Sequence, residues 1–241
     1  KQIWSMYLQQ DITSEFFEDI AWSLATGTNT AIFTTGNAGI GKSLLTANIC
    51  EITSWIAERI TGRGIPFTVE GNLQSDIVPF IKMLSNGKSY HSYMLDELLS
   101  LHGLGSQITL DSMKNIMKAS TRFEQINWSI VGIELLPMHV YNYVLRAEAK
   151  DYDETNIRKS KAFVGELWCK IYEDLYGNYL QVGKITVPIV LTEEWISNYH
   201  LKQKAPKVAS VLQSEGLVER EGLQRIYEKL YGPKKLQSQQ S

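Results

Sequence analysis

The sequence predicts an α/β fold with a central parallel five-stranded sheet flanked by helices. Short apolar or β-branched runs alternate with segments whose apolar residues recur every three or four positions, which is typical of parallel sheets covered on both faces. The chain has 241 residues, of which 44% are apolar and 21% charged, so it is long enough for one large domain of ordinary globular composition. A glycine-rich motif joins the first predicted strand to the following helix.

The amino-terminal elements have the clearest patterns. Apolar residues at helical spacing between Phe16 and Leu24 predict a helix with one buried face. Thr30–Thr35, with the sequence TAIFTT, predicts a short buried strand. The repeat from Leu45 to Ile60 predicts a helix that begins at Ser43 and ends at Gly62.

Four more strands and several helices are predicted downstream. The predicted strands are Ile65–Glu70, Tyr90–Leu95, Trp128–Leu136 and Ile185–Leu191, and the predicted helices cover 73–86, 111–126 and most of 138–180. Pro79 is expected to break or bend the first of these helices, and Pro188 to weaken the last strand, because proline has no backbone N–H to donate. The α/β core with its helical lead-in is expected to occupy residues 1–191.

Residues 192–241 form a separate, mainly helical segment in this interpretation. Glu193–Tyr199 predicts a short helix, His200–Lys204 a turn and Ala205–Glu215 a second helix, with a short strand at Leu217–Glu221. The last residues, 233–241, are polar and low in complexity. The sequence leaves open whether this segment is a winged helix, a helical lid or a solvated helical hairpin.

The strongest motif is Gly36–Ser43, with the sequence GNAGIGKS, which fits G-x-x-x-x-G-K-[ST] at every fixed position. Glycines allow several backbone N–H groups to converge on phosphate oxygens, and the helix that follows adds positive potential at its N-terminus. Lys42 is expected to reach the β- and γ-phosphates and the Ser43 hydroxyl to coordinate Mg²⁺. The predicted nucleotide-binding residues are Gly36, Asn37, Ala38, Gly39, Ile40, Gly41, Lys42, Ser43 and Leu44.

A second motif, Tyr93–Glu97 with the sequence YMLDE, resembles the Walker B strand of P-loop ATPases. That resemblance implies that Asp96 holds Mg²⁺ through water and that Glu97 polarises the attacking water. An adjacent acidic pair is typical of the branch with an additional strand between the P-loop strand and the Walker B strand, which includes RecA-like and AAA+ ATPases. Glu70 is a rival carboxylate, although a solvated strand end explains it more simply.

Three further residues are candidates for transition-state contacts. In the related ATPases a polar residue at the end of the fourth strand senses the γ-phosphate, and Glu134 occupies roughly that place. Because a carboxylate repels phosphate, Glu134 would need a cationic partner, for which Arg122 is a candidate. Arg122 and Arg146, both expected on helices, are also candidates for an arginine finger acting across a ring interface, with a surface arginine as the alternative for each.

The chain as a whole resembles P-loop ATPases of the RecA/AAA+ type, and its order of elements resembles the compact DnaA-like ATPases of archaeal viruses and plasmids. The resemblance rests on Gly36–Ser43 and Tyr93–Glu97. It implies Mg²⁺-dependent ATP hydrolysis coupled to DNA handling, such as replication initiation or helicase loading, by a homo-oligomer. Alternatives are a DNA-packaging or translocation motor, an ATPase that acts without nucleic acid, and an ATP-dependent assembly switch.

The charge distribution suggests where DNA contact would occur. The net charge is −2, but residues 200–241 carry eight Lys and Arg against four Glu, whereas residues 1–199 carry 16 basic against 22 acidic residues. The carboxyl-terminal segment resembles the helix-turn-helix of winged-helix domains, which implies that Lys202, Lys204 and Lys207 face phosphates.

Several other classes of protein are disfavoured. The four histidines have no metal-ligand spacing, the two cysteines are too few for a disulfide framework, and no N-K-x-D motif of a GTPase is present. No apolar run approaches the length of a membrane span, so the protein is expected in the cytoplasm, possibly of an infected or plasmid-bearing host cell.

Overall fold

The structure, a computed structural model, describes residues 10–37, 39–63, 66–75, 77–87, 90–96, 127–131, 142–150, 162–170 and 179–206. The chain divides into two compact units, Lys1–Leu191 and Thr192–Ser241. No helix within the described ranges is both long and apolar enough to cross a membrane.

A seven-stranded mixed sheet, counted over the described residues, forms the centre of the first unit. Its strands are β1 (Thr30–Thr35), β2 (Leu73–Gln74), β3 (Ser92–Leu95), β4 (Asn127–Val131), β5 (Tyr143–Lys150), β6 (Ala162–Lys170) and β7 (Tyr179–Pro188). Their spatial order is β2-β3-β4-β1-β5-β6-β7. Neighbours from β2 to β5 in this order pair in parallel, whereas β6 and β7 are antiparallel additions.

The α/β class is confirmed, but the prediction of a parallel five-stranded sheet is wrong. The largest error is the helix predicted over most of 138–180, because the described part of that range consists of β5, β6 and the start of β7. In β6 the burial alternates with period two, with Phe163 and Gly165 buried and their neighbours partly exposed. Apolar residues on both faces of this strand gave adjacent apolar pairs, such as Phe163 and Val164, that also fit helical spacing.

The predicted strand Ile65–Glu70 is also wrong. Residues 66–68 have no regular structure, and a short helix, α3 (Val69–Asn72), follows. The Thr68 hydroxyl accepts a hydrogen bond from the Gly71 amide at 3.1 Å, which caps this helical turn. The strand β2 therefore begins only at Leu73, inside the segment that was predicted to be helical.

Two helices of the first unit are those that the sequence pattern predicts most clearly. Helix α1 (Thr13–Thr26) buries Phe16, Ile20 and Leu24, as its spacing predicts. Helix α2 (Lys42–Thr61) ends at Gly62, whose left-handed φ of 68° lets its amide reach the Glu58 carbonyl at 2.8 Å. Both predictions are confirmed.

Helix α4 (Ile77–Ser85) is continuous, so of the break or bend predicted at Pro79 the break is wrong. Pro79 is the third residue of this helix. In the first turn a backbone N–H has no partner within the helix, so proline is tolerated there.

A helix also begins the second unit. Helix α5 (Glu193–Tyr199) is capped by Thr192, whose side chain accepts from the Trp195 amide, and it continues directly into a π-helical turn at His200–Lys204. The turn predicted at His200–Lys204 is therefore wrong. Residues 193–205 contain neither glycine nor proline to stop the helix, so the described residues show no helix-turn-helix.

Asn48 joins α2 to the segment that follows β7. Its side chain is buried, its Nδ2 donates to the Leu44 carbonyl at 2.7 Å, and its Oδ1 accepts from the amides of Val190 at 2.7 Å and Leu191 at 3.2 Å. One side chain thus satisfies two backbone N–H groups that lie beyond the end of the sheet.

We expect Asn48→Ala to lower the free energy of unfolding by about 2–4 kcal/mol, because two amides lose their acceptor in a buried setting. Urea denaturation measures the loss, and Asn86→Ala, at an exposed position after α4, is the matched control. Equal stability of the two variants would show that the Asn48 bonds do not support the fold.

Candidate functional site

The loop between β1 and α2 is shaped by glycines. Gly36, Gly39 and Gly41 have φ angles of 136°, 75° and 93°, which lie in the region that favours glycine. At Gly36 a Cβ would lie 2.8 Å from the carbonyl oxygen of Ala147 on β5. The loop therefore leaves β1 in close contact with the neighbouring strand, where only glycine fits.

Lys42, the first residue of α2, folds back over this loop. Its Nζ donates to the carbonyl oxygens of Gly36 at 3.0 Å and Asn37 at 2.9 Å. The ammonium group thus contacts the first two residues of the loop and lies close to the N-terminus of a 20-residue helix, which is positively polarised. This arrangement concentrates positive potential where an anion can bind.

Ser43 and Asp96 meet beside the loop. The Ser43 hydroxyl donates to Oδ1 of Asp96 at 2.6 Å, a length typical of O–H bonds to a carboxylate. Asp96 directly follows β3, is 2% exposed, and its backbone amide donates to the Gln74 carbonyl at 2.7 Å. The two residues are 53 positions apart in the sequence, and the sheet brings them together.

The positions of α2 and β1 are held by their own contacts. Thr46, one turn into α2, donates its hydroxyl to that of Thr34 on β1 at 2.8 Å, and both side chains are buried. Leu44 and Leu45 are buried in the same turn. Because this turn is fixed against the sheet, Lys42 and Ser43 keep a defined position relative to Asp96.

The pair of oxygen ligands fits Mg²⁺. A serine hydroxyl and an aspartate carboxylate are hard donors, and Mg²⁺ in nucleotide sites is held by one or two such groups together with water and substrate phosphates. The described residues contain no cluster of three or more Asp, Glu, His or Cys side chains suited to a metal. A site completed by phosphate oxygens requires no such cluster.

Strand β5 borders the loop on the side opposite to β4. Arg146, predicted on a helix, lies instead on this strand and is in register with Thr35, the last residue of β1. A cavity of about 200 Å³ lies here, lined by Asn37 and Ile40 of the loop and by Arg146, Ala147 and Glu148.

Charged residues of β5, β6 and β7 form a connected group beside this cavity. Lys184 Nζ lies 2.7 Å from Oε2 of Glu148, and Arg146 lies 3.8 Å from the Glu166 carboxylate. The hydrogen bond from Lys184 lowers the pKa of Glu148 below its usual value, whereas burial, and then the neighbouring Glu148, raise the pKa of Glu166. Glu148 is therefore ionised at neutral pH.

The described residues include only part of the predicted site. They contain Gly36, Asn37, Gly39, Ile40, Gly41, Lys42, Ser43, Leu44 and Asp96, whereas Ala38, Glu97, Arg122, Glu134 and Lys207 lie outside them. Glu70 is exposed on α3, away from a strand end. Glu148 was not singled out in the sequence, although its period-two spacing from Arg146 places both residues on one face of a strand.

No model of a known protein family matches this chain, and no curated protein is significantly similar to it in sequence. The functional interpretation therefore depends on the motifs and on the geometry around the loop.

Gly36→Ala is expected to destabilise the protein by about 2–4 kcal/mol, because an unfavourable φ is combined with a steric clash against Ala147. Gly39→Ala is the matched control: its φ is also positive, but no atom lies within 4 Å of the place that the new methyl group would take, so we expect a loss of only about 1–2 kcal/mol. Urea unfolding of both variants compares the two losses. Equal losses would contradict the close approach of the loop to β5.

Proposed function

We propose that the protein binds ATP with Mg²⁺ at the loop Gly36–Ser43 and hydrolyses the nucleotide. The observation that carries this proposal is the 2.6 Å hydrogen bond between Ser43 and Asp96. Ser43 is assigned to the metal by the loop motif, and Asp96 by the resemblance of Tyr93–Glu97 to a Walker B strand downstream of that loop. A chance glycine turn would give no reason for a buried carboxylate from a distant strand to meet this particular hydroxyl.

The strand order also supports the proposal. Strand β4 lies between β1, which leads into the loop, and β3, which ends at Asp96. The resemblance to RecA-like and AAA+ ATPases implies this additional strand. The adjacent acidic pair, Asp96 and Glu97, and the absence of an N-K-x-D motif favour an ATPase over a GTPase.

The described residues have distinct roles in this proposal. Backbone N–H groups of the loop and of the start of α2 bind phosphate oxygens, and Lys42 exchanges its two carbonyl acceptors for the β- and γ-phosphates. The hydroxyl of Ser43 would hold the metal directly, and the carboxylate of Asp96 would hold it through water. When bound, Mg²⁺ neutralises the charge that develops on the phosphates.

The remaining catalytic assignments follow from the family resemblance alone. Glu97 is proposed to polarise the attacking water, Arg122 to stabilise the transferred phosphoryl group, and Glu134 to act as the sensor. An arginine donated by a second copy would make a homo-oligomer the active form.

Coupling to DNA is a second part of the proposal, supported by the basic carboxyl-terminal segment. Residues 200–241 carry eight Lys and Arg against four Glu. Lys202 and Lys204 lie on the π-helical turn, where Lys202 is exposed and Lys204 partly exposed. Together with Lys207 they are proposed to contact the phosphate backbone, which requires a basic surface but no helix-turn-helix.

Lys42→Ala is expected to reduce Mg²⁺-dependent phosphate release from ATP by about 100-fold or more, since it removes a charge that stabilises the transferred phosphoryl group. Lys82→Ala, at an exposed position on α4, is the control.

Glu97→Gln is expected to retain binding of a fluorescent ATP analogue while stopping turnover. Chelation of Mg²⁺ should abolish turnover in every variant.

Wild-type-like turnover in Lys42→Ala would contradict the assignment of the loop as the nucleotide site. Normal turnover in Glu97→Gln would contradict only its role as the residue that activates water. Nucleotide-dependent assembly without phosphate release would instead favour the assembly switch.

DNA is expected to stimulate ATP turnover, and the stimulation should decline as salt concentration rises. If the three lysines each neutralise one phosphate, the logarithmic salt dependence of duplex binding has a slope that is shallower by about 2.7 in a Lys202/Lys204/Lys207→Gln variant. Single- and double-stranded DNA are compared at two salt concentrations. Absence of both stimulation and salt-sensitive binding would remove the DNA role, whereas processive movement would favour the packaging or translocation motor.

A further inference from the structure

The loop Gly36–Ser43 has two chemically different sides. On the side of β4 and β3, the hydroxyl of Ser43 meets the buried carboxylate of Asp96. On the side of β5 it borders the cavity lined by Arg146, Ala147 and Glu148. The sheet order fixes this difference, because β1 lies between β4 and β5.

The first side accounts for one end of a bound nucleotide. In the proposed function Ser43 and Asp96 would hold the metal that neutralises the terminal phosphates, so this pair marks the end of the loop where those phosphates would bind. The nucleoside is attached at the opposite end of the triphosphate, beyond the α-phosphate. A nucleotide aligned along the loop therefore directs its nucleoside away from Asp96 and toward β5.

The size of the cavity limits what it can hold. Its volume is about 200 Å³, below the roughly 300–1,000 Å³ of pockets that enclose a complete small-molecule ligand. The phosphates bind in the loop and need no enclosed space. The cavity is therefore suited to one part of a nucleoside.

The charges around the cavity favour a neutral group that donates hydrogen bonds. Ionised Glu148 has only hydrogen-bond acceptors, and the hydrogen bond from Lys184 at 2.7 Å favours the ionised form. Lys184 pairs with Glu148 and Arg146 with Glu166, and the two carboxyl groups also share a hydrogen bond, so each carboxyl group beside the cavity has a cationic partner. The vicinal hydroxyls of a ribose are donors of the kind that a carboxylate binds.

We propose that this cavity receives the ribose of the bound nucleotide and that the Glu148 carboxylate accepts hydrogen bonds from the 2′- and 3′-hydroxyls. The inference rests on the proposed function and assigns a residue that distinguishes ribonucleotides from deoxyribonucleotides. Lys184 acts as a positioning residue, because it contacts Glu148 but does not line the cavity.

Titration calorimetry tests the proposal by measuring how tightly the protein binds the magnesium complexes of ATP, 2′-deoxy-ATP and inorganic tripolyphosphate. Wild-type protein is expected to bind ATP about tenfold more tightly than 2′-deoxy-ATP, because 2′-deoxy-ATP lacks one hydrogen bond to a charged group and such a bond contributes about this factor in affinity. Glu148→Ala should reduce that ratio to near one without changing the affinity for tripolyphosphate. Glu148→Gln should keep part of the ratio, because its amide oxygen still accepts a hydrogen bond.

Two further variants separate recognition from structural support. Lys184→Met breaks the ion pair with Glu148 but leaves the carboxylate at the cavity, so it should retain more of the ATP preference than Glu148→Ala. Glu58→Gln, at an exposed position on α2, should behave as wild type. If Glu148→Ala weakened the binding of tripolyphosphate as much as that of ATP, the role of Glu148 would be structural and the proposal would be overturned.

The remaining outcomes also decide between possibilities. If wild-type protein binds ATP and tripolyphosphate but Glu148→Ala leaves the ATP to 2′-deoxy-ATP ratio unchanged, the ribose assignment is wrong and the proposed ATP site stands. If Glu148→Ala instead changes only the preference for ATP over GTP, the cavity holds the base and the ribose assignment is again wrong. If wild-type protein binds neither ATP nor tripolyphosphate, the proposed function itself fails.

Discussion

Strand β1 is paired in parallel on both sides, with β4 along one edge and β5 along the other, and this double pairing determines where the loop that follows can lie. Thr34 is in register with Val131 of β4 and Thr35 with Arg146 of β5, and a Cβ at Gly36 would lie against the Ala147 carbonyl. The loop must therefore cross the end of the sheet before the chain enters α2. Ser43 then comes within hydrogen-bonding distance of Asp96, which follows β3 on the far side of β4.

The elements that sequence reasoning predicts correctly are those with local signals. Thr30–Thr35 is a β-branched run bounded by a glycine, and α2 has both a long apolar repeat and a glycine at its end. Strands β5 and β6 have no such signal, because apolar residues occur on both faces and adjacent apolar pairs also fit helical spacing. At Gly165 a Cβ would lie 2.7 Å from Leu145, so this glycine reflects tight packing in a strand, which a single sequence cannot reveal.

In the candidate site too, features with a local sequence signal could be predicted and features that depend on strand pairing could not. The motif places Lys42 and Ser43 at the start of a helix because its glycines and its helix are neighbours in sequence, and the structure has them there. The meeting of Ser43 with Asp96 depends on strand order, which the sequence suggested only through a family resemblance. The role of Glu148 depends on Lys184, 36 positions away on another strand. The position of Glu148 beside the loop depends on the pairing of β5 with β1, which the sequence does not reveal.

The cross-strand charges explain how a carboxylate can lie near a site proposed for a polyanion. An isolated Glu148 would repel phosphate groups, since two unit charges of like sign 4 Å apart interact by about 4 kcal/mol at an effective dielectric constant of 20. Lys184, in contact with Glu148 at 2.7 Å, and Arg146, beside Glu166, offset that repulsion. Strands β6 and β7 therefore do more than extend the sheet: Lys184 on β7 pairs with Glu148 and Glu166 on β6 pairs with Arg146, so the acceptor that β5 presents beside the loop has a cationic partner.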